Sequence, residues 1–451
     1  MTTIRPDQSA VFHRELDREY PVMVRGGGYR IYDDGGREYL DAIGGGAAVV
    51  NIGFGLPDVI QALARQAEIL PFVHNQKFTS PPQEELARVL IEHAPDYAKV
   101  IFCQGGAEAN ETALRLVRSF HAECGDDQRW AFISVAQAYH GSTIGTLALT
   151  KRPASLTHPY EPYLPSFLHI PPVDPSTDPD GSRALSALED AIRLAGAETV
   201  AAFWCEPVSA AAAPALRAPD SFYAGVAELA QRHGFLVVFD EVVTGLGRTG
   251  SFLAADQMPI TPDIVTTAKG LGGGYIPMGA VLATQRVYDA IAAGSKDFSH
   301  GHTFNGYPLG CAVGLAMLQH LDEHRLIERV ARKGPDFLNT LRETLTGCPF
   351  VDEIRGQGFL FGITYRDDEH RFLDPSLRLA RRIDVAALGE RLLVYSTQPT
   401  ADGYMGDQTM LAPSFETTDE DFAEIARRLS LAIARAAADI KEGRPLELVL
   451  G

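Results

Sequence analysis

Two residues of opposite charge stand at the ends of apolar runs, where neither solvation nor core packing accounts for them. Phe235-Leu236-Val237-Val238-Phe239 predicts a strand buried on both faces, and it ends abruptly in Asp240-Glu241. Carboxylates at the carboxyl end of such a strand usually face a ligand crevice. Further on, Asp263-Ile264-Val265-Thr266-Thr267-Ala268 leads into Lys269-Gly270, where a solvated surface lysine is not expected. An amine so placed can condense with an aldehyde. An acid opposite a heterocycle can keep its nitrogen protonated, so that the ring accepts carbanion charge. Pyridoxal phosphate chemistry asks for this pair, with Lys269 holding the aldehyde and Asp240 the pyridine nitrogen. Alone, a Lys-Gly pair would be read as surface; its neighbours overturn that reading.

An anion site stands upstream. Gln104-Gly105-Gly106-Ala107-Glu108-Ala109-Asn110 follows the apolar run Val100-Ile101-Phe102 and opens a helix with Ala113, Leu116, Val117 and Phe120 on its apolar side. Glycines at a helix N-terminus let backbone N–H groups approach a phosphate, helped by the helix dipole. A purely structural turn is the alternative. Tyr139-His140-Gly141 follows another strand-like run, and its aromatic ring could stack on a flat cofactor or simply cover a strand end. Val242 comes just after the acidic pair and could pack on the other ring face, although an isolated valine would be assigned to core.

Other motifs suggest rival chemistries. Gly245-Leu246-Gly247-Arg248-Thr249-Gly250 is a G-x-G-x-x-G, the pattern of a dinucleotide-binding oxidoreductase. Its context fails, because the acidic pair precedes it and Pro259 follows soon after, where strand and amphipathic helix should flank the glycines. His300 and His302 form an H-x-H with no third or fourth ligand at metal spacing, so no metal is expected.

The elements that must position these residues alternate. Strand-like runs (Val100-Ile101-Phe102, Trp130 to Val135, Val200 to Trp204, Leu236 to Phe239, Ile264-Val265) are separated by amphipathic runs, which predicts an α/β domain with a mainly parallel sheet. The last hundred or so residues differ: a glycine-punctuated strand region, Ile354 to Ile363, precedes a long helix with Thr418 and Asp421 as a capping pair and Phe422, Ile425, Ala426, Leu429 and Ile433 at helical spacing. Tyr29 to Asp33 and Glu38 to Asp41 flank Gly35-Gly36 as a hairpin that could add to this smaller α+β domain. We therefore expect residues 1–60 to contribute to the small domain, 61–330 to form the large domain and 331–451 to complete the small one.

Composition bounds the rest. The 451 residues exceed a single core, and 45% hydrophobic with 22% charged is ordinary for a soluble chain. A net charge of −18 argues against nucleic-acid or anionic-membrane partners, so any bound anion must be held locally. The opening Met1-Thr2-Thr3-Ile4-Arg5-Pro6-Asp7 is not a signal sequence, and no stretch is apolar for long enough to span a membrane. Cys103, Cys124, Cys205, Cys311 and Cys348 are odd in number and widely spaced, as free thiols in a reducing cytoplasm would be.

Together these runs resemble the class III (omega) aminotransferases, fold-type I pyridoxal phosphate enzymes, over nearly the whole chain. The carriers are Gly105 to Ala109, Tyr139-His140-Gly141, Glu206-Pro207-Val208, Asp240-Glu241-Val242 with Gly245 to Gly250, Lys269 to Gly274, and His302-Thr303-Phe304 before Pro308-Leu309. The resemblance implies a seven-stranded sheet in the large domain and Lys269 as both imine lysine and proton carrier. It implies Asp240 at the pyridine nitrogen, Val242 and Tyr139 on the two ring faces, and Gly105, Gly106 and Ala107 at the phosphate, with His140 and Glu206 beside the cofactor. Thr303 would reach the phosphate of the neighbouring subunit in a homodimer with shared sites, and such dimers can pair into tetramers. Two half-reactions with small-molecule amines and oxo acids should follow, hence ping-pong kinetics.

Relatives on this scaffold also include decarboxylases, epimerases, aminomutases and lyases, and a non-catalytic regulator is a further alternative, although no basic helix-turn-helix precedes residue 60. Certain departures bear on specificity. Gly105 replaces a common serine, and Leu411-Ala412-Pro413-Ser414-Phe415 replaces a common double proline. The run Ala401-Asp402-Gly403-Tyr404-Met405-Gly406-Asp407 lacks the arginine that several relatives use for a substrate carboxylate, and Ala48 stands where a bulky aromatic is frequent. An amine or ω-amino acid donor, with pyruvate favoured over 2-oxoglutarate, is the resulting expectation.

Overall fold

The apolar runs become the strands of one seven-stranded sheet. In the computed structural model, which describes residues 2–151, 158–398, 400–401, 403–404 and 406–446, a short strand pair, Thr3–Ile4 with Tyr20–Pro21, precedes three N-terminal strands, β1 (Met23–Gly27), β2 (Arg30–Asp33) and β3 (Glu38–Asp41). Met1, Asp402 and Met405, read above as parts of longer stretches, lie outside the described residues. The large sheet follows as β4 (Lys99–Cys103), β5 (Ala131–Val135), β6 (Leu168–Ile170), β7 (Val200–Cys205), β8 (Leu236–Asp240), β9 (Ile264–Thr267) and β10 (Gly279–Ala283), in the order β4-β10-β9-β8-β7-β5-β6. β8 runs parallel to β7 and β9, and β5 parallel to β6 and β7. β10 alone is reversed, antiparallel to both β9 and β4, so the sheet is mixed but mainly parallel.

Coverage of both faces explains why these strands read as unbroken apolar runs. Leu236 and Val238 of β8 pack in one core with Ala113, Leu116, Val117 and Phe120 of helix α1 (Gly106–Glu123). Val237 and Phe239 face the other core, against Phe222, Val226 and Leu229 of α2 (Asp220–His233). Each such side chain, fully buried, contributes roughly 1.5–3 kcal/mol, with no solvent face to impose alternation.

The C-terminal part is built from α3 (Leu326–Leu345), the hairpin β11 (Val351–Gln357) and β12 (Leu360–Tyr365), helix α4 (Leu379–Gly389), short strands β13 (Leu392–Leu393) and β14 (Tyr395–Thr397), β15 (Gln408–Leu411), and the final helix α5 (Asp419–Lys441). β15 lies between β12 and β14, antiparallel to each. The N-terminal hairpin turns at Gly35-Gly36, and its β3 pairs with β13 through Leu40 and Leu392. The α5 cap is also as read: Thr418 Oγ1 accepts the Asp421 N–H at 3.2 Å. Asp421 then accepts from Tyr29 Oη at 2.5 Å and Arg30 Nη2 at 2.6 Å, which ties the hairpin to the helix.

Gly245 to Gly250 is a chain of turns, and its glycines serve packing rather than a nucleotide. Gly250 has φ +92°, and a Cβ there would come within 2.9 Å of Ala331 Cα on α3. Between the glycines, Arg248 is buried; its Nη1 donates to the carbonyls of Phe359 at 3.0 Å and Pro413 at 2.6 Å, and its guanidinium lies 4.5 Å from the Phe415 ring centre. Burial pulls its pKa down to about 9, partly opposed by the charge of Asp41. The segment thus fastens the large sheet to the C-terminal strands.

Candidate active site

Because β10 alone is reversed, β4, β5, β7, β8 and β9 all end at the same edge of the sheet. The residues just beyond those ends line one cavity of about 290 Å³: Gly105, Gly106 and Ala107 after β4, Tyr139 and His140 after β5, Glu206 after β7, Asp240 and Val242 at β8, and Lys269 after β9. Of the site residues expected from sequence, only Thr303 is elsewhere, exposed on a loop and lining neither this cavity nor its neighbour.

Asp240 is buried and held by three donors. Asn110 Nδ2 and His140 Nδ1 each reach Oδ2 at 2.7 Å, and the Val242 N–H reaches Oδ1 at 3.0 Å. Since a carboxylate offers about four lone-pair positions, one remains for a donor in the cavity. Asn110 is itself fixed, donating to His140 O at 2.8 Å and accepting from Thr266 Oγ1 at 2.7 Å. In the sequence Asn110 stands out only as part of the helix opening. The available signal was its spacing, one helical turn beyond Gly106 and Ala107 and hence on the same face. Glu241 points the opposite way, as alternation along a strand requires, and accepts the N–H groups of Ala254 at 2.6 Å and Ala255 at 2.8 Å.

Lys269 adopts φ +39°, a left-handed conformation that costs a lysine about 1–3 kcal/mol and persists only because its surroundings impose it. The carbonyl of Lys269 accepts from Gly272 at 3.1 Å and Gly273 at 2.9 Å, closing a single turn that directs the chain back toward the sheet. Burial lowers the amine to about 8, while Asp240 and Glu206 pull the other way. Glu206 accepts the N–H of Tyr139 at 3.1 Å and that of Ala210 at 3.0 Å, and burial raises its own pKa.

At the other end of the cavity, the first N–H groups of α1 have no partner within the helix, as at any helix start. Gly106 has to be glycine: a Cβ there would lie 2.8 Å from both methyls of Val242. The backbone thus comes down onto the space where an anion would sit. A free acceptor position, an amine of lowered basicity and an open helix N-terminus in one cavity fit the ring nitrogen, aldehyde and phosphate of pyridoxal phosphate respectively.

The class III aminotransferase family model matches residues 12–433. This chain belongs to that family. A probable aminotransferase of Mycobacterium tuberculosis is 38% identical to this aminotransferase over 369 residues, 78% of each chain. Among solved structures, an amine transaminase of an uncultivated Pseudomonas species in its PLP-bound form is 30% identical, with TM-score 0.86 over 96% of this chain and 98% of that one. A PMP-bound aminotransferase of Vibrio fluvialis is 27% identical, with TM-score 0.88 over the same shares. The aminotransferase is accordingly a fold-type I enzyme that uses pyridoxal phosphate, and its substrates are small molecules.

Beside the inner cavity lies a larger one, about 720 Å³, which shares Tyr139, Gly141, Ala211 and Lys269 with it and is otherwise lined by residues including Arg14, Ala47, Tyr160, Tyr395 and Met410. Ala48, which stands where a bulky aromatic is frequent among relatives, does not line this cavity. Ala48 is buried at φ +56° among Ile43, Val208 and Met410, and Ala47 is the residue that faces the outer cavity. His300 accepts or donates at 2.9 Å with Thr112 Oγ1, and no group of three His, Cys, Asp or Glu side chains among the described residues could hold a metal ion. No helix among them is long and apolar enough to cross a membrane.

Proposed function

We propose that this aminotransferase takes its amino group from amines or ω-amino acids and delivers it to pyruvate in preference to 2-oxoglutarate, by a ping-pong course. The observation that carries the acceptor preference is the position of β15. Met410 of that strand lines the outer cavity, and the sequence just before the strand, Ala401 to Asp407, contains no arginine. A dicarboxylate then lacks a bidentate partner for its second charge.

Pyridoxal phosphate, when bound, supplies the aldehyde that carries nitrogen between substrates and the ring that accepts carbanion charge. In this reading Lys269 Nζ would hold the aldehyde at rest and would take up and return the proton of the substrate Cα. A basicity lowered to about 8 makes the free amine available near neutral pH. Asp240, oriented by Asn110, His140 and Val242, keeps the ring nitrogen protonated. Val242 and Tyr139 hold the two ring faces, Gly105, Gly106 and Ala107 present N–H groups to the phosphate, and Glu206 fixes the backbone that carries Tyr139. Thr303 serves the partner's phosphate in a cytoplasmic homodimer. In this reading residues 1–60 with 331–451 form the small domain and 61–330 the large one, and residues of both line the outer cavity.

Initial rates test this directly. At several fixed pyruvate concentrations, double-reciprocal plots against an amine donor should be parallel, and kcat/KM for pyruvate should exceed that for 2-oxoglutarate. Intersecting lines would refute the ping-pong course, a preference for 2-oxoglutarate would refute the acceptor assignment, and reaction with short α-amino acids alone would refute the donor class.

A further inference from the structure

The outer cavity carries a charge imbalance opposite in sign to that of the chain as a whole. The chain has a net charge of −18, yet the described residues that line this cavity include two cations, Lys269 and Arg14, and no aspartate or glutamate. Lys269 is committed to the cofactor. Arg14 makes no hydrogen bond or ion pair with any described residue, whereas both of its neighbours are tied down. His13 stacks on Tyr20 at 4.4 Å between ring centres, and its Nε2 lies 3.1 Å from Ser9 Oγ. Glu15 pairs with Arg381 of α4 through its side chain, and its backbone N–H and carbonyl both engage Tyr20 Oη, at 3.0 and 3.1 Å. The segment is thus fastened on each side of Arg14, while the guanidinium itself is left over at the cavity.

We propose that Arg14 is the carboxylate anchor of this site, so that the preferred substrates carry one carboxylate: ω-amino acids among donors and monocarboxylic oxo acids among acceptors. This rests on the transaminase reading above and deepens it. A planar guanidinium matches a carboxylate bidentately, and one such fork serves one carboxylate. The N-terminal segment would thereby supply the group missing from the run before β15, and a diacid would still keep one charge unpaired.

The test compares donors that differ only in the carboxylate, 4-aminobutanoate and butylamine, with the full-length holoenzyme and its Arg14→Ala, Arg14→Met and Arg14→Lys variants. The expected result is a fall in the ratio of kcat/KM for 4-aminobutanoate to that for butylamine, on the order of 10- to 100-fold in the Ala and Met variants. The fall should appear in KM rather than kcat, and lysine should restore part of it. A ratio within about twofold of the parent in both the Ala and Met variants would overturn the proposal. Calorimetric titration with pentanoate, an unreactive carboxylate, separates this from the donor assignment. If neither donor reacts, the donor class falls, and pentanoate decides alone: weaker binding in Arg14→Ala upholds the anchor, and unchanged binding removes it.

Discussion

At the scale of single residues, the site is a charge arrangement with consequences for pH. Lys269 in the cofactor-free protein titrates near 8 instead of 10.5 because it is buried, and Asp240 raises it against that trend. Only the free amine condenses with an aldehyde, so the rate at which the apo-protein captures pyridoxal phosphate should rise with pH and level off above about 8. Asp240→Asn removes the charge that favours the ammonium, so its midpoint should move lower still. Stopped-flow absorbance measures both, and a midpoint near 10.5, or one that moves upward in the variant, would contradict the account. Lys269 and Asp240 were legible in the sequence because each interrupts an apolar run with a charge. Asn110 was not, since a polar residue in the first turns of a helix is ordinary, and its importance lies in contacts with Asp240, the His140 carbonyl and Thr266 that only the fold brings together.

At the scale of elements, apolar runs without alternation identify β4, β5, β7, β8 and β9, but neither β6 nor β10. Gly279-Ala280-Val281-Leu282-Ala283 has small residues at three of its positions and reads like a helix-packing segment. Its identity as a reversed strand depends on pairing with β4 and β9. The G-x-G-x-x-G was recognised as out of context, but its actual work, presenting Arg248 to carbonyls more than a hundred positions away, has no local signature. Arg248→Ala would orphan two buried carbonyls at about 1–3 kcal/mol each and also lose the stacking on Phe415, so stability should fall by roughly 2–6 kcal/mol. Urea unfolding checks this. A change below about 0.5 kcal/mol, the range of an ordinary surface substitution, would mean that the fastening is incidental.

At the scale of the whole molecule, Thr303 is the residue whose proposed role a single chain does not explain, being exposed and away from both cavities. If it completes the partner's phosphate site, hybrid dimers of Lys269→Ala and Thr303→Ala subunits contain one site with both residues intact and one with neither. Such hybrids, assayed at limiting pyridoxal phosphate, should regain half of the wild-type activity, and activity no greater than that of the parent variants combined would refute shared sites.

The central claim is that Lys269, facing Asp240 across the inner cavity, carries the cofactor and the proton. The most direct measurement is the absorbance spectrum of the purified protein during addition of an amine without acceptor, then pyruvate, with Lys269→Ala alongside. A visible band that the amine bleaches and pyruvate restores is expected, with neither change catalysed by the variant. A Lys269→Ala protein that cycles between the two forms at the wild-type rate would contradict the claim.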